Sequence, residues 1–220
     1  MKRLLVTATA FGLAAAAATA APVVDQSYLP SGPTSAATID GNITSRAQSF
    51  TVGLDGFLTG VRLTLSDKGN FDQALTAELT VGIFDVAGGA VDIAGGAKAS
   101  ESVGRILGSS SFNDFRLLDV TFGSSVPVSV GDTLAIVLSG VAAGQNDGFF
   151  WAQGGGAGYA GGSAFQVFTP GGALLESGSD YQFETLVDTS PVSAIPVPAS
   201  LPLLLAGIGA VGLLRRRGNA

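Results

Sequence analysis

Gly60-Val61-Arg62-Leu63-Thr64-Leu65-Ser66 and Ala77-Glu78-Leu79-Thr80-Val81-Gly82-Ile83 decide the fold class. In the first stretch Val61, Leu63 and Leu65 alternate with Arg62, Thr64 and Ser66. In the second, Ala77, Leu79, Val81 and Ile83 alternate with Glu78, Thr80 and Gly82. Successive side chains of a strand point to opposite faces, so period two over these lengths predicts strands with one face buried. Further apolar runs predict strands at 48–52, 104–107, 115–122, 126–130, 133–139, 148–152, 164–169 and 181–187. Gly131-Asp132, between two of these runs, predicts a tight turn.

No stretch between Asp25 and Asp188 keeps a 3.6-residue period, and many of the 32 glycines fall between the short apolar runs. About ten short strands punctuated by turns predict one all-β domain over 21–188, an antiparallel β-sandwich with jelly-roll-like topology. A β-barrel or a parallel β-helix is the alternative, although no fixed repeat supports the latter.

The two ends read differently. Met1-Lys2-Arg3, an apolar run from Leu4 to about Ala18 and then Ala18-Thr19-Ala20 predict a signal peptide over 1–20, cut after Ala20. At the other end, Ala199 to Leu214 carries no charge, and Arg215, Arg216 and Arg217 follow at once. A helix over these 16 residues is about 24 Å long, slightly under the ~30 Å hydrocarbon core. Pro196, Pro198 and Pro202 argue against regular helix before about Ser200, so a short transmembrane helix is expected at about 200–214. The arginines stop transfer and belong on the cytoplasmic side. A buried core helix is the competing reading, and three adjacent arginines do not suit burial. The residues between, 189–195, form a short polar linker that presents the tail.

This tail resembles a PEP-CTERM sorting signal over 196–217. The resemblance rests on Pro196-Val197-Pro198-Ala199, the Leu-rich run with Ala206-Gly207-Ile208-Gly209-Ala210, and the terminal arginines. The nearest subtype reads Val-Pro-Leu-Pro-Ala; this chain has Ile195 and Val197 in place of its Val and Leu. The resemblance implies a Gram-negative bacterial precursor held in the inner membrane with its domain in the periplasm. It also implies processing near the proline motif by an exosortase, then release or attachment at the cell surface, often in an exopolysaccharide or biofilm setting. It covers about a tenth of the chain and says nothing of the domain. More loosely, residues 47–52, 60–63, 127–130 and 134–138 are similar to secreted bacterial jelly-roll domains of carbohydrate-binding-module type.

Composition excludes several functions. The chain has no cysteine and no histidine, so Ser-His and Cys-His catalysis are ruled out and the commonest metal ligand is missing. Without Lys2, Arg3 and the three terminal arginines, six basic residues face 17 acidic ones, a net charge of about −11. That disfavours nucleic acid and anionic lipid as partners.

Phe149, Phe150, Trp151 and Phe165 flank a glycine-rich loop, 154–162, that contains Tyr159. Aromatic faces suit sugar rings, and glycine lets a ligand approach the backbone. If this is a site, Trp151 and Tyr159 are its aromatic platform, supported by Asn146 and Gln153. Phe149 and Trp151 share one strand face, however, so a structural role in the core is the competing reading. Asp67, Asn70 and Asp72 offer oxygen ligands for a structural calcium ion, with solvated turn chemistry as the alternative. No other cofactor is expected. The expected function is a non-catalytic adhesion or carbohydrate-associating module of the extracellular matrix. The alternatives are a glycoside hydrolase or lyase using a carboxylate pair, and a structural matrix protein with no ligand.

Overall fold

The computed structural model describes residues 21–32, 35–40, 43–68, 78–104, 114–141, 148–155, 158–167 and 175–190. The segments expected to be a signal peptide (1–20), a sorting motif (Pro196–Ala199), a transmembrane helix (about 200–214) and a stop-transfer cluster (Arg215–Arg217) lie outside the described residues. By its contacts the backbone divides into two units, Met1–Thr189 and Ser190–Ala220. Among the described residues no helix is long and apolar enough to cross a membrane.

The described residues are all β. The strands are β1 (Val23–Tyr28), β2 (Ser35–Ile39), β3 (Ser45–Thr51), β4 (Gly56–Lys68), β5 (Glu78–Ala87), β6 (Ala90–Val91) and β7 (Ala99–Val103). They continue with β8 (Arg116–Val128), β9 (Thr133–Val141), β10 (Gly148–Gln153), β11 (Ala164–Val167), β12 (Leu175–Glu176) and β13 (Phe183–Asp188). A six-stranded sheet runs β1-β13-β4-β10-β2, with β8 also on β4; a seven-stranded sheet runs β12-β11-β3-β9-β5-β6, with β7 also on β5. Every pairing is antiparallel.

The quoted alternation organises both sheets. Val61, Leu63 and Leu65 of β4 and Leu79, Val81 and Ile83 of β5 are fully buried and belong to one apolar core, which also takes Phe50, Ile136, Leu138 and Phe183. β4 is the spine of the six-stranded sheet. One of its edges pairs with β8 over 56–65; the other pairs first with β13 over 57–63 and then with β10 over 65–68. The Gly131-Asp132 turn forms as expected. Gly131 has φ +92°, a value glycine tolerates, and Asp132 accepts the Ser129 amide while its own amide reaches the Ser129 carbonyl.

Several boundaries differ from the sequence expectation. The runs 115–122 and 126–130 are one strand, β8, because a bulge opposite Leu58–Gly60 absorbs the residues between them without ending the pairing. Residues 105–107 of the strand expected at 104–107 lie outside the described residues; just before them stands β7, Ala99–Val103, which the sequence reading missed because Ser100, Glu101 and Ser102 are exposed and hide the pattern. β1 and β2 have no counterpart in the sequence reading. β1 is an edge strand exposed on both faces at its start, so it shows no alternation, and β2 is built on alanines.

Candidate functional site

The candidate ligand loop is a crossover. After β10 the chain leaves the six-stranded sheet, passes through 154–163 and enters the seven-stranded sheet at β11. The alternation within β10 turns Phe149 and Trp151 inward, 2 % and 0 % exposed, and leaves Phe150 half-buried on the other face.

Trp151 therefore cannot serve as a sugar platform, which corrects the sequence expectation. Its ring stacks on Tyr181 with centroids 4.6 Å apart, and its Nε1 donates to the Gln182 carbonyl at 2.9 Å. Both faces and the one polar atom of the indole are thereby committed to the core. Tyr159 lies half-buried between Tyr28 and Phe183, 6.1 and 5.1 Å away by centroid. Its hydroxyl donates to Gln26 Oε1 at 2.7 Å, and its amide donates to Asp180 Oδ2 at 2.8 Å. Gln153 accepts from the Ser35 hydroxyl at 2.8 Å, tying β10 to β2. Asn146 lies outside the described residues. The three described members of the quartet are thus a core tryptophan, a wedge tyrosine and a glutamine at the end of β10.

Gly154, Gly158, Gly161 and Gly162 of the loop stand where a side chain would collide with the protein itself. A Cβ on Gly162 would sit 2.0 Å from the Ser49 carbonyl oxygen, and one on Gly158 would sit 2.5 Å from Asp180 Oδ2. The crossover is further tied to β3 by Ser49 N to Ser163 O, Ser163 N to Ser49 Oγ and Thr51 Oγ1 to Gly161 O, at 2.9, 2.8 and 2.9 Å.

Beneath the crossover lies a polar network that sequence reasoning missed. Gln48 donates through Nε2 to Asp180 Oδ1 and accepts the Tyr181 amide through Oε1, at 3.0 and 2.8 Å. Arg46, 6 % exposed, donates from Nε to the Thr38 carbonyl and from Nη1 to Tyr181 Oη, both at 3.0 Å, and also to Gln166 Oε1. These three acceptors are neutral, and the guanidinium also stands 5.9 Å from the Tyr181 ring centroid. The available signal was spacing: Arg46 and Gln48 share period two with Phe50, which places two polar side chains on the core face. The network links β2, β3, β11 and the segment before β13, and its hydrogen bonds are mutual. It offers a clamp across the sheets.

Burial raises the Tyr159 phenol to about 12, with Asp25 and Asp180 adding to the effect and a backbone hydrogen bond at Thr51 opposing it. Burial also raises Tyr28, again with help from Asp180. In the unfolded chain Tyr159 titrates near 10, so the folded state holds its proton longer. The resulting stability is fully present below about pH 10 and is lost as pH climbs toward about 12. Tyr159→Phe should flatten that loss in denaturant melts taken at successive alkaline pH values. An identical slope in wild type and variant would place the alkaline sensitivity elsewhere.

Of the three residues read as calcium ligands, only Asp67 is described. Asp67 is not in a loop. β4 continues past Ser66, pairing Asp67 with Phe149, and Asp67 is buried on the inward face of Leu63 and Leu65. Asn70 and Asp72 lie outside the described residues, and among the described residues no group of three acidic side chains could hold a metal ion. As for carboxylate pairs, Asp119 and Glu184 do converge, but on Arg62, at 2.6 and 3.2 Å, in an ion-pair ladder across β8, β4 and β13. Both carboxylates are thus engaged by the same guanidinium.

No protein-family model, curated protein or solved structure matches the chain.

Proposed function

We propose that the chain is an exported precursor whose β domain is delivered to the cell surface or extracellular matrix by its C-terminal sorting segment. An exosortase-type enzyme cleaves that segment near Pro196–Ala199 after the inner membrane has held it. The domain acts there as a non-catalytic structural or adhesive module, and its partners are matrix polysaccharide or neighbouring matrix protein. The alternation of successive strands between sheets, β3 to β4 to β5 and β8 to β9 to β10 to β11, supports a jelly-roll winding.

The observation that carries this reading is the pairing of the two domain ends. β1 starts at Val23, and Val23 pairs with Val187 near the end of β13. None of the described strand pairings involves a residue before Val23 or after Asp188, so trimming either side leaves those pairings in place. The burial of Trp151 favours the structural member of the pair of readings over sugar stacking by the aromatic loop.

Intact-mass measurement on protein recovered from the cell surface tests the sorting half. The expected mass lacks residues 1–20 and everything beyond the Pro196–Ala199 motif. A mature form that still carries Arg215, Arg216 and Arg217 would overturn processing.

A further inference from the structure

We propose that one end of the β domain, built around Leu54 and Val130, is a lipid-contacting face that rests on a zwitterionic phospholipid surface while the precursor is tethered there. The proposal depends on the reading of the tail as a membrane segment.

Large exposed apolar side chains are scattered singly on most surfaces and mean little alone. Here the described residues expose eight, Val23, Val24, Leu29, Leu54, Ile93, Leu117, Val130 and Leu175, and half of them gather at one place. The contacts that gather them are specific. The Val130 amide donates to Asp55 Oδ1 and the Gly131 amide to the Val52 carbonyl, which docks the 129–132 turn against the 52–55 loop. The Gly53 amide donates to the Asp25 carboxylate, which docks that loop against β1 just after Val23 and Val24. Val130, 61 % exposed, is the most exposed of the eight and stands at the turn's apex.

The position of the chain ends names the occupant. Val23 pairs with Val187, Asp188 pairs with Phe57, and Gly56 pairs with Val128, so β13 ends beside this turn and loop. The apolar run begins at Ala199. Residues 190–199, even fully extended, reach no further than about 35 Å. A weakly apolar tip confined that close to a bilayer meets it at a high effective concentration, and modest apolar contact then suffices. The charge selects the lipid. Asp25, Asp55 and Asp132 cap the backbone amides of Gly53, Val130 and Ser129, keeping a negative potential at the tip that anionic headgroups would repel.

The absence of native cysteine makes the test direct. Full-length chain carrying Val130→Cys or Leu117→Cys is labelled with an environment-sensitive fluorophore and reconstituted into phosphatidylcholine vesicles containing a nitroxide-headgroup lipid. Leu117 pairs with Thr64, eight residues along β4 from Gly56, and so lies about 26 Å from the tip. The label at 130 should be quenched by lipid and the label at 117 should not. Adding Leu54→Ser should lower the lipid-contacting population at position 130 on the order of tenfold. Equal quenching at 130 and 117 would overturn the lipid-contacting face while leaving the tether intact. A chain that fails to co-float with the vesicles would overturn both.

Discussion

Trp151→Ala should lower the free energy of unfolding by about 3–5 kcal/mol, the range for removing a large aromatic from a packed core. Three losses combine at this position. The indole is fully buried, so its removal leaves a cavity bounded by Ala37 and Leu65 on the paired strands and by Tyr181 above it. The 4.6 Å stack on Tyr181 disappears, and Tyr181 also anchors Arg46 through its hydroxyl. The Gln182 carbonyl loses the donor at 2.9 Å and stays buried. Trp151→Phe keeps most of the volume and forfeits the hydrogen bond, so about 1–2 kcal/mol is expected. Denaturant unfolding followed by circular dichroism measures both, since the fluorophore itself is removed. A sugar-stacking tryptophan would behave oppositely, with stability near wild type after Trp151→Ala. Because Trp151 is the chain's single tryptophan, wild-type emission should also resist aqueous quenchers.

What could be read before the fold was known follows from which physical signals are local. Period two at Val61, Leu63 and Leu65 is a property of one strand, and it holds wherever that strand is placed. The face that alternation buries is set by the partner sheet, so the sequence around Phe149, Phe150 and Trp151 said only that one face would be core. β1 lacked even that signal, because an edge strand with Val23 and Val24 both exposed has no dry face to advertise. Arg46 and Gln48 carried a misleading one. Polar residues in register with Phe50 look like a break in the core pattern, yet each is hydrogen-bonded to a partner distant in sequence, Arg46 to Tyr181 and Gln48 to Asp180. Satisfaction of a buried polar group is a tertiary fact, and only the folded chain supplies it.

Glycine is ambiguous for the same reason, and Gly162→Ala resolves the ambiguity in the 154–162 loop. Glycine there could leave room for a ligand or for the protein's own backbone, and the two demand different responses to a methyl group. In the fold, that methyl lands 2.0 Å from the Ser49 carbonyl oxygen and 2.5 Å from its carbon. Both obstacles are main chain, so no rotamer change relieves them and the crossover must move off β3. The hydrogen bonds exchanged between Ser49 and Ser163, and the Thr51 contact to Gly161, weaken with it. Overpacking costs of about 1–3 kcal/mol and lost hydrogen bonds of about 1 kcal/mol each put the expected loss at about 3 kcal/mol. Gly178→Ala is the matched control. A Cβ at that position meets nothing within 4 Å, so a change within about 1 kcal/mol, of either sign, is expected. A second readout separates local release from general weakening. Tyr159 is wedged by this crossover, so in Gly162→Ala its phenol should fall from about 12 toward the ordinary value of 10 as burial is lost. If Gly162→Ala and Gly178→Ala unfold alike and Tyr159 titrates unchanged, the loop is not clamped to β3, and its glycines are again available to a ligand.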